Sequence, residues 1–173
     1  MRLIDPILAE LEQEALATRR VLARVPDAHL AWRPHPKSFS LGQLALHVAT
    51  IPGNVAKLAA LEGLSDPPQF VQPAATSAAE LVPAFEASLA QARQVLGTFD
   101  DAAMAGTWRL MSGDRELLAL PRAAVLRTIL LNHWYHHRGQ LLVYLRCHDV
   151  PLPSVYGPTA DENPFALEAT ASV

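Results

Sequence analysis

Three histidines fall within five residues in the segment Asn132-His133-Trp134-Tyr135-His136-His137-Arg138-Gly139-Gln140, inside a long apolar run that reads as helix. Residues at i and i+4 on a helix are surface neighbours with Cβ atoms about 5 to 6 Å apart, so His133 and His137 can aim two imidazole nitrogens at one point. A metal ion is the natural occupant. Imidazole suits zinc, nickel, iron or copper, through bonds of about 2.0 to 2.1 Å. Two ligands seldom suffice. The best placed third is His47, in Leu41-Gly42-Gln43-Leu44-Ala45-Leu46-His47-Val48-Ala49, flanked by apolar residues at helical spacing.

An isolated histidine on an apolar helix face is more often a satisfied core residue than a ligand, so His47 alone carries little weight. The His133 and His137 pair carries more, because two imidazoles so placed otherwise need separate partners inside a core. His136, at i+3 from His133, competes with His137 as chelator, and the i+4 spacing favours His137. His136 is left a supporting or interface role. Metal-bound imidazoles donate their second N–H to a nearby acceptor, which makes Gln43 and Asn132 candidates for support, although solvated helix-face polarity accounts for both equally. Arg138 and Gln140 either take an anionic substrate group or tie helix ends and tail in place, and the structural role is favoured. Gly139 is expected to allow close helix packing, Trp134, Tyr135 and Tyr144 to fill core or dimer surface, and His29 and His35 to be ordinary loop histidines. Cys147 is the single cysteine, which excludes an intrachain disulfide and any multi-cysteine zinc knuckle. It lies about 15 Å along a helix axis from His137, too far to share an ion, and His148 fails by the same measure.

The elements that position these groups read as helices. Ile4, Leu8, Leu11, Ala15, Leu22 and Val25 form one apolar stripe, with Glu10, Glu12, Arg19 and Arg20 opposite and Pro26 marking the end. Residues 27–38 hold Pro34 and Pro36 and read as a connection, with Trp32 as its anchor. Ser40 with Gln43 makes a capping box and Phe39 with Leu44 the matching hydrophobic staple, so a second helix starts here and carries His47 in its second turn. Pro52 removes the hydrogen bond to the Val48 carbonyl, and Gly63 is the expected stop. Ser77 and Glu80 form another capping box, opening a third helix with Leu81, Phe85, Leu89, Ala92, Leu96 and Phe99 on one side. From Met104 to Leu118 the pattern alternates around Ser112-Gly113-Asp114, which predicts a short hairpin. Pro121 suits a first helical position, and a last helix of some seven turns, roughly 40 Å, follows to about His148, bearing Val125, Ile129, His133, His137, Leu141 and Tyr144.

Half of the 173 residues are hydrophobic and 18% are charged, which with prominent Ala and Leu favours an all-helical globular protein with a single core. The net charge of −3 offers no basic face for phosphates, so a nucleic-acid partner is disfavoured. Asp5 and Pro6 stand where a signal peptide needs apolar residues, and no uninterrupted apolar stretch of about 18 residues occurs, so the expectation is a cytoplasmic protein with no membrane partner. One domain over residues 1–155 is expected, with a tail over 156–173 that packs on the bundle or is partly disordered.

With these elements in order, the chain resembles the DinB/YfiT-like superfamily of metalloenzymes. The resemblance rests on Trp32-Arg33-Pro34, on Ser38-Phe39-Ser40-Leu41-Gly42-Gln43-Leu44 with His47, on His133 through Leu141, and on Pro153 with Tyr156-Gly157-Pro158 and Asp161-Glu162. It implies a four-helix bundle of up-down-down-up topology, a homodimer, and one divalent ion held by three histidines that match His47, His133 and His137. Zinc or nickel leads as the ion, with iron or manganese behind. Where relatives often have glycine after the last helix, this chain has Cys147-His148-Asp149, so Asp149 has to end the helix without glycine's freedom. The implied activity on a small-molecule substrate is transfer of a low-molecular-weight thiol to an electrophile, or hydrolysis. The absence of a carboxylate at motif spacing disfavours peptidase chemistry. A non-catalytic dimeric bundle that binds a metal or ligand in a stress response is the alternative.

Overall fold

The computed structural model describes residues 1–166 apart from Pro68 and Phe70. The first helix, α1 (Asp5–Leu22), buries Ile7, Leu11, Ala15, Val21 and Leu22, with Ile4 just ahead of it and Val25 just beyond. Leu8 of the expected stripe is only half-buried, because the helix is turned so that Ile7 faces inward. The same face also buries Glu14 and Thr18, two polar residues that the stripe gave no reason to place inside.

Helix α2 (Leu41–Ala60) begins at the expected capping box. Gln43 N–H donates to Ser40 Oγ at 3.2 Å, and Ser40 N–H donates to Gln43 Oε1 at 2.9 Å. Pro52 sits inside this helix, and the Val48 carbonyl it leaves without a helical donor accepts from Trp134 Nε1 at 3.0 Å. Beside it, Gly53 N–H donates to Ser88 Oγ at 2.8 Å, and Ser88 Oγ–H donates to the Thr50 carbonyl at 3.1 Å. The proline is thereby absorbed by the neighbouring helices. A Cβ on Gly53 would lie 2.9 Å from the Ser88 carbonyl oxygen, so glycine here sets how closely the two helices approach.

That neighbour is α3 (Leu81–Leu96), led by a 3-10 turn over Ala78–Glu80 that Ser77 and Glu80 cap as expected. All six residues of its predicted stripe are buried. A short helix, α4 (Asp101–Ala105), follows, so Met104 is helical and the hairpin begins later than its sequence signal. Strands β2 (Thr107–Ser112) and β3 (Arg115–Pro121) pair antiparallel about Gly113-Asp114, where Gly113 has φ +55°.

Three expectations are corrected. The fold is mostly helical rather than all-helical, because β1 (Gly63–Leu64) adds in parallel to β2 and makes a three-stranded sheet. Gly63 is therefore no helix stop. It pairs with Arg109 at φ +158°, and a Cβ there would fall 2.4 Å from the Arg109 carbonyl oxygen. Gly139 is corrected as well: it is exposed, and a Cβ there would meet nothing within 4 Å, so close packing does not explain it.

The last helical run has three parts, α5 (Arg122–Val125), a π-helical segment Leu126–Asn132, and α6 (His133–Arg146). Pro121 stands one position before the run, as its cap. Buried Arg122 donates to the carbonyls of Ala59, Ala103 and Leu61, stitching the start of the run to the ends of α2 and α4. At the far end Asp149 takes φ +55°, the left-handed conformation normally left to glycine, and Val150 N–H returns to the Leu145 carbonyl at 3.2 Å. The chain then turns back. Asp161 pairs with Arg146, Glu162 pairs with Arg20, and Tyr156 reaches Glu14 and Arg138. Residues 167–173 of the expected tail lie outside the described residues. Helices α1, α2, α3 and α6 pack on one another around a core of aliphatic side chains with Phe85 and Trp134. No helix among the described residues is long and apolar enough to cross a membrane.

Candidate metal centre

Helices α2 and α6 bring His47, His133 and His137 together. One ring nitrogen of each lies within 4.8 Å of the others, and the Nε2 atoms of His133 and His137 are 2.9 Å apart. The outer nitrogens are occupied. His133 Nδ1 lies 3.2 Å from the Ile129 carbonyl oxygen, which can only accept, so Nδ1 carries the proton. His137 Nδ1 lies 2.8 Å from Gln140 Oε1 and is held in the same tautomer. Both Nε2 atoms then present lone pairs toward one spot.

The π-helical turn explains how Ile129 is available. In an α-helix the His133 N–H would bond the Ile129 carbonyl. Here it reaches the Thr128 and Leu130 carbonyls instead. The carbonyl that the wider turn skips is the one that orients the His133 ring. No periodicity in the sequence signals this, since a π turn changes hydrogen bonding without changing residue types.

Of the supporting residues expected from sequence, Asn132 is exposed, and Gln43 is spent on the Ser40 cap and on the Gln72 carbonyl. Gln72, a buried loop residue, hydrogen-bonds His47 through its side chain. Gln72 sits in a stretch with no helical or strand pattern, so sequence gave no handle on it. Gln140 is a partner of His137. His136 is exposed, its ring 5.0 Å from that of His137.

Burial pushes the His47 imidazole down to about 4, helped by the neighbouring His137 and His133 rings and opposed by Gln72. Burial also lowers His133, against the pull of the Ile129 carbonyl, and lowers His137, against that of Gln140. All three are neutral at pH 7, the state in which imidazole binds metal. Their rings stack edge-on at centroid distances of 4.6 to 5.3 Å, and Phe39 closes one side against His47 and His137.

Arg138 lies outside this cluster. It is 2% exposed and donates to Glu14, Thr18 and Tyr156, which joins α6, α1 and the returning tail. The other histidines also lie apart. His29 stacks on His148 at 4.0 Å, Trp32 meets His148 and Tyr144 edge-on, and His35 accepts from its own loop.

Residues 10–141 match the family model of the DinB superfamily, a span that contains all three histidines. The chain belongs to the DinB superfamily. The Bacillus subtilis protein YrdA is 26% identical over 168 residues, 96% of each chain. Among solved structures, a DinB-like protein from Bacillus cereus superposes with a TM-score of 0.66 at 23% identity, covering 87% of this chain and 95% of the other. The DinB-like protein YjoA from Bacillus subtilis gives 0.65 at 16% identity, covering 87% and 98%. These likenesses establish a DinB-like fold.

Proposed function

We propose that His47, His133 and His137 hold one divalent metal ion and that this DinB protein is a metal-dependent enzyme that transfers a small thiol to an electrophile. The observation that supports it most is the pair of Nε2 atoms 2.9 Å apart, each on a ring whose Nδ1 is already engaged. Two lone pairs so placed repel, and a cation between them turns the repulsion into attraction. Zinc and nickel suit an all-imidazole set best, with iron and manganese as further occupants to test. With three neutral protein ligands the ion would keep its full charge, acting as a Lewis acid that favours the deprotonated form of a small thiol or of water.

The chain's own residues set the rest. Ile129, Gln140 and Gln72 fix the ring orientations, while Phe39 and the aliphatic walls keep water from the buried side. Among the described residues no carboxylate lines the cavities beside the histidines, so no side chain there stands ready to take a proton from water. Thiol transfer asks less. The thiol, far more acidic than water, gives its proton to solvent, the thiolate sulfur forms the bond to the electrophilic carbon with its own pair, and the leaving group departs with the electrons of the broken bond.

Elemental analysis of purified protein tests the ion. Near-stoichiometric metal is expected, falling sharply in His47→Ala, His133→Ala and His137→Ala, and full retention in any one removes that residue from the set. Metal-loaded protein is then assayed with thiols and electrophiles, and with esters and amides. Ester or amide turnover alone would select hydrolysis, and silence throughout would select the binding module. The homodimer belongs to this proposal and is read from sedimentation of the same preparations.

A further inference from the structure

We infer that the ligand of this site has two unlike ends, a small apolar group and an anionic group, held in separate cavities that meet at the histidines. The inference rests on the metal-site reading only for where the reacting atoms lie, between the two ends. The first cavity, of about 140 Å³, is the more enclosed and is walled by Ile51, Val55, Leu58 and Ile129 together with His47 and His133. An apolar cavity near 150 Å³ accommodates a benzene-sized guest, so this one takes a phenyl ring or a short branched alkyl group. The second, of about 240 Å³, lies beyond His137 and is lined by Lys37, Ser38, Gln140 and Tyr144. The opening between them is bounded by Phe39 and the three histidines themselves.

Charge decides what the second cavity accepts. Most arginines of the chain are already paired with carboxylates, whereas Lys37 makes no ion pair among the described residues. It stands at the cavity beside the Ser38 hydroxyl, and none of the three linings contains an acidic side chain. An anion entering there meets a free cation and a hydroxyl donor with no opposing charge. An apolar group in the other cavity meets only aliphatic walls apart from the histidines and Asn54. Small aryl or branched-alkyl carboxylates satisfy both.

Phenylacetate is the probe, with benzyl alcohol keeping the ring but not the charge and acetate the charge but not the ring. Calorimetric titration of the zinc-loaded and metal-free protein should show phenylacetate binding about tenfold or more tighter than either fragment. Val55→Phe and, from the facing helix, Ile129→Phe should weaken phenylacetate and benzyl alcohol about tenfold by filling the apolar cavity. Lys37→Glu should weaken phenylacetate about fivefold or more, leave benzyl alcohol unchanged, and remove or reverse the weakening of phenylacetate binding by salt. Equal affinity for phenylacetate and acetate, or indifference to all three substitutions, overturns the inference. Zinc content of the same samples separates the two readings. Zinc retained without probe discrimination sinks this inference alone, and probe discrimination without zinc sinks the metal reading alone.

Discussion

Two polar centres lie on different faces of α6, one at His133 and His137 and the other at Arg138, the residue next to His137, and they are built on opposite terms. Around Arg138 the charge is answered: Glu14 carries the opposite sign, and Thr18 and Tyr156 add further hydrogen bonds. Around His133 and His137 the answering groups stand only on the outer side, and the inner nitrogens face one another. A closed network holds a fold together, whereas one left open on one side has capacity for something from outside. That contrast separates a structural centre from a candidate functional one, with Arg138 buried and His133 and His137 only half-buried.

Breaking the closed centre should have the largest effect. Arg138→Ala leaves the Glu14 carboxylate buried without its cation and should cost about 3 to 5 kcal/mol in denaturant unfolding at pH 7. If the two centres are independent, its metal content stays at the wild-type level under conditions where it is folded. A cost below about 1 kcal/mol would mean that the network contributes little to stability.

Acid should act on the open centre in the metal-free protein. His47 titrates near 6.5 when unfolded and about 4 when folded, so between those values the unfolded chain binds the additional proton. Stability is therefore expected to fall as pH drops from 6.5 toward 4, by on the order of 2 kcal/mol. A urea series over that range reads it, and His47→Gln should flatten the slope.

Gln140→Ala should leave stability unchanged, because the residue is exposed, yet lower metal affinity about tenfold to a hundredfold by releasing His137 Nδ1. Competition with a chelator measures this, and an unaltered affinity would show that Gln140 does not orient the ring. The smallest effect is expected from Tyr156→Phe. It removes one hydroxyl shared by Arg138 and Glu14 and should cost about 1 to 1.5 kcal/mol, sharpening the estimate of how closed the first centre is.

The legible parts of the chain were those with a local cause. The Ser40 and Ser77 caps, the stripe of α3 and the Gly113-Asp114 turn each depend on residues within a few positions of one another, and each formed where it was expected. Several departures involve distant partners. Strand β1 exists because residues 107–112 offer an edge to Gly63 and Leu64, and Glu14 is buried because Arg138 meets it from α6. Gln72 reaches His47 from a loop without pattern.

The spacing of His133 and His137 was set by the helix repeat and so could be read from sequence alone, as could their chemical suitability for a metal. What only the tertiary structure decided is that His47 arrives at the same point from α2 and that a skipped carbonyl in a π turn points the His133 ring. The reason is one of range. A helix repeat fixes directions over a few residues, while the convergence of two helices depends on how the whole core packs between them.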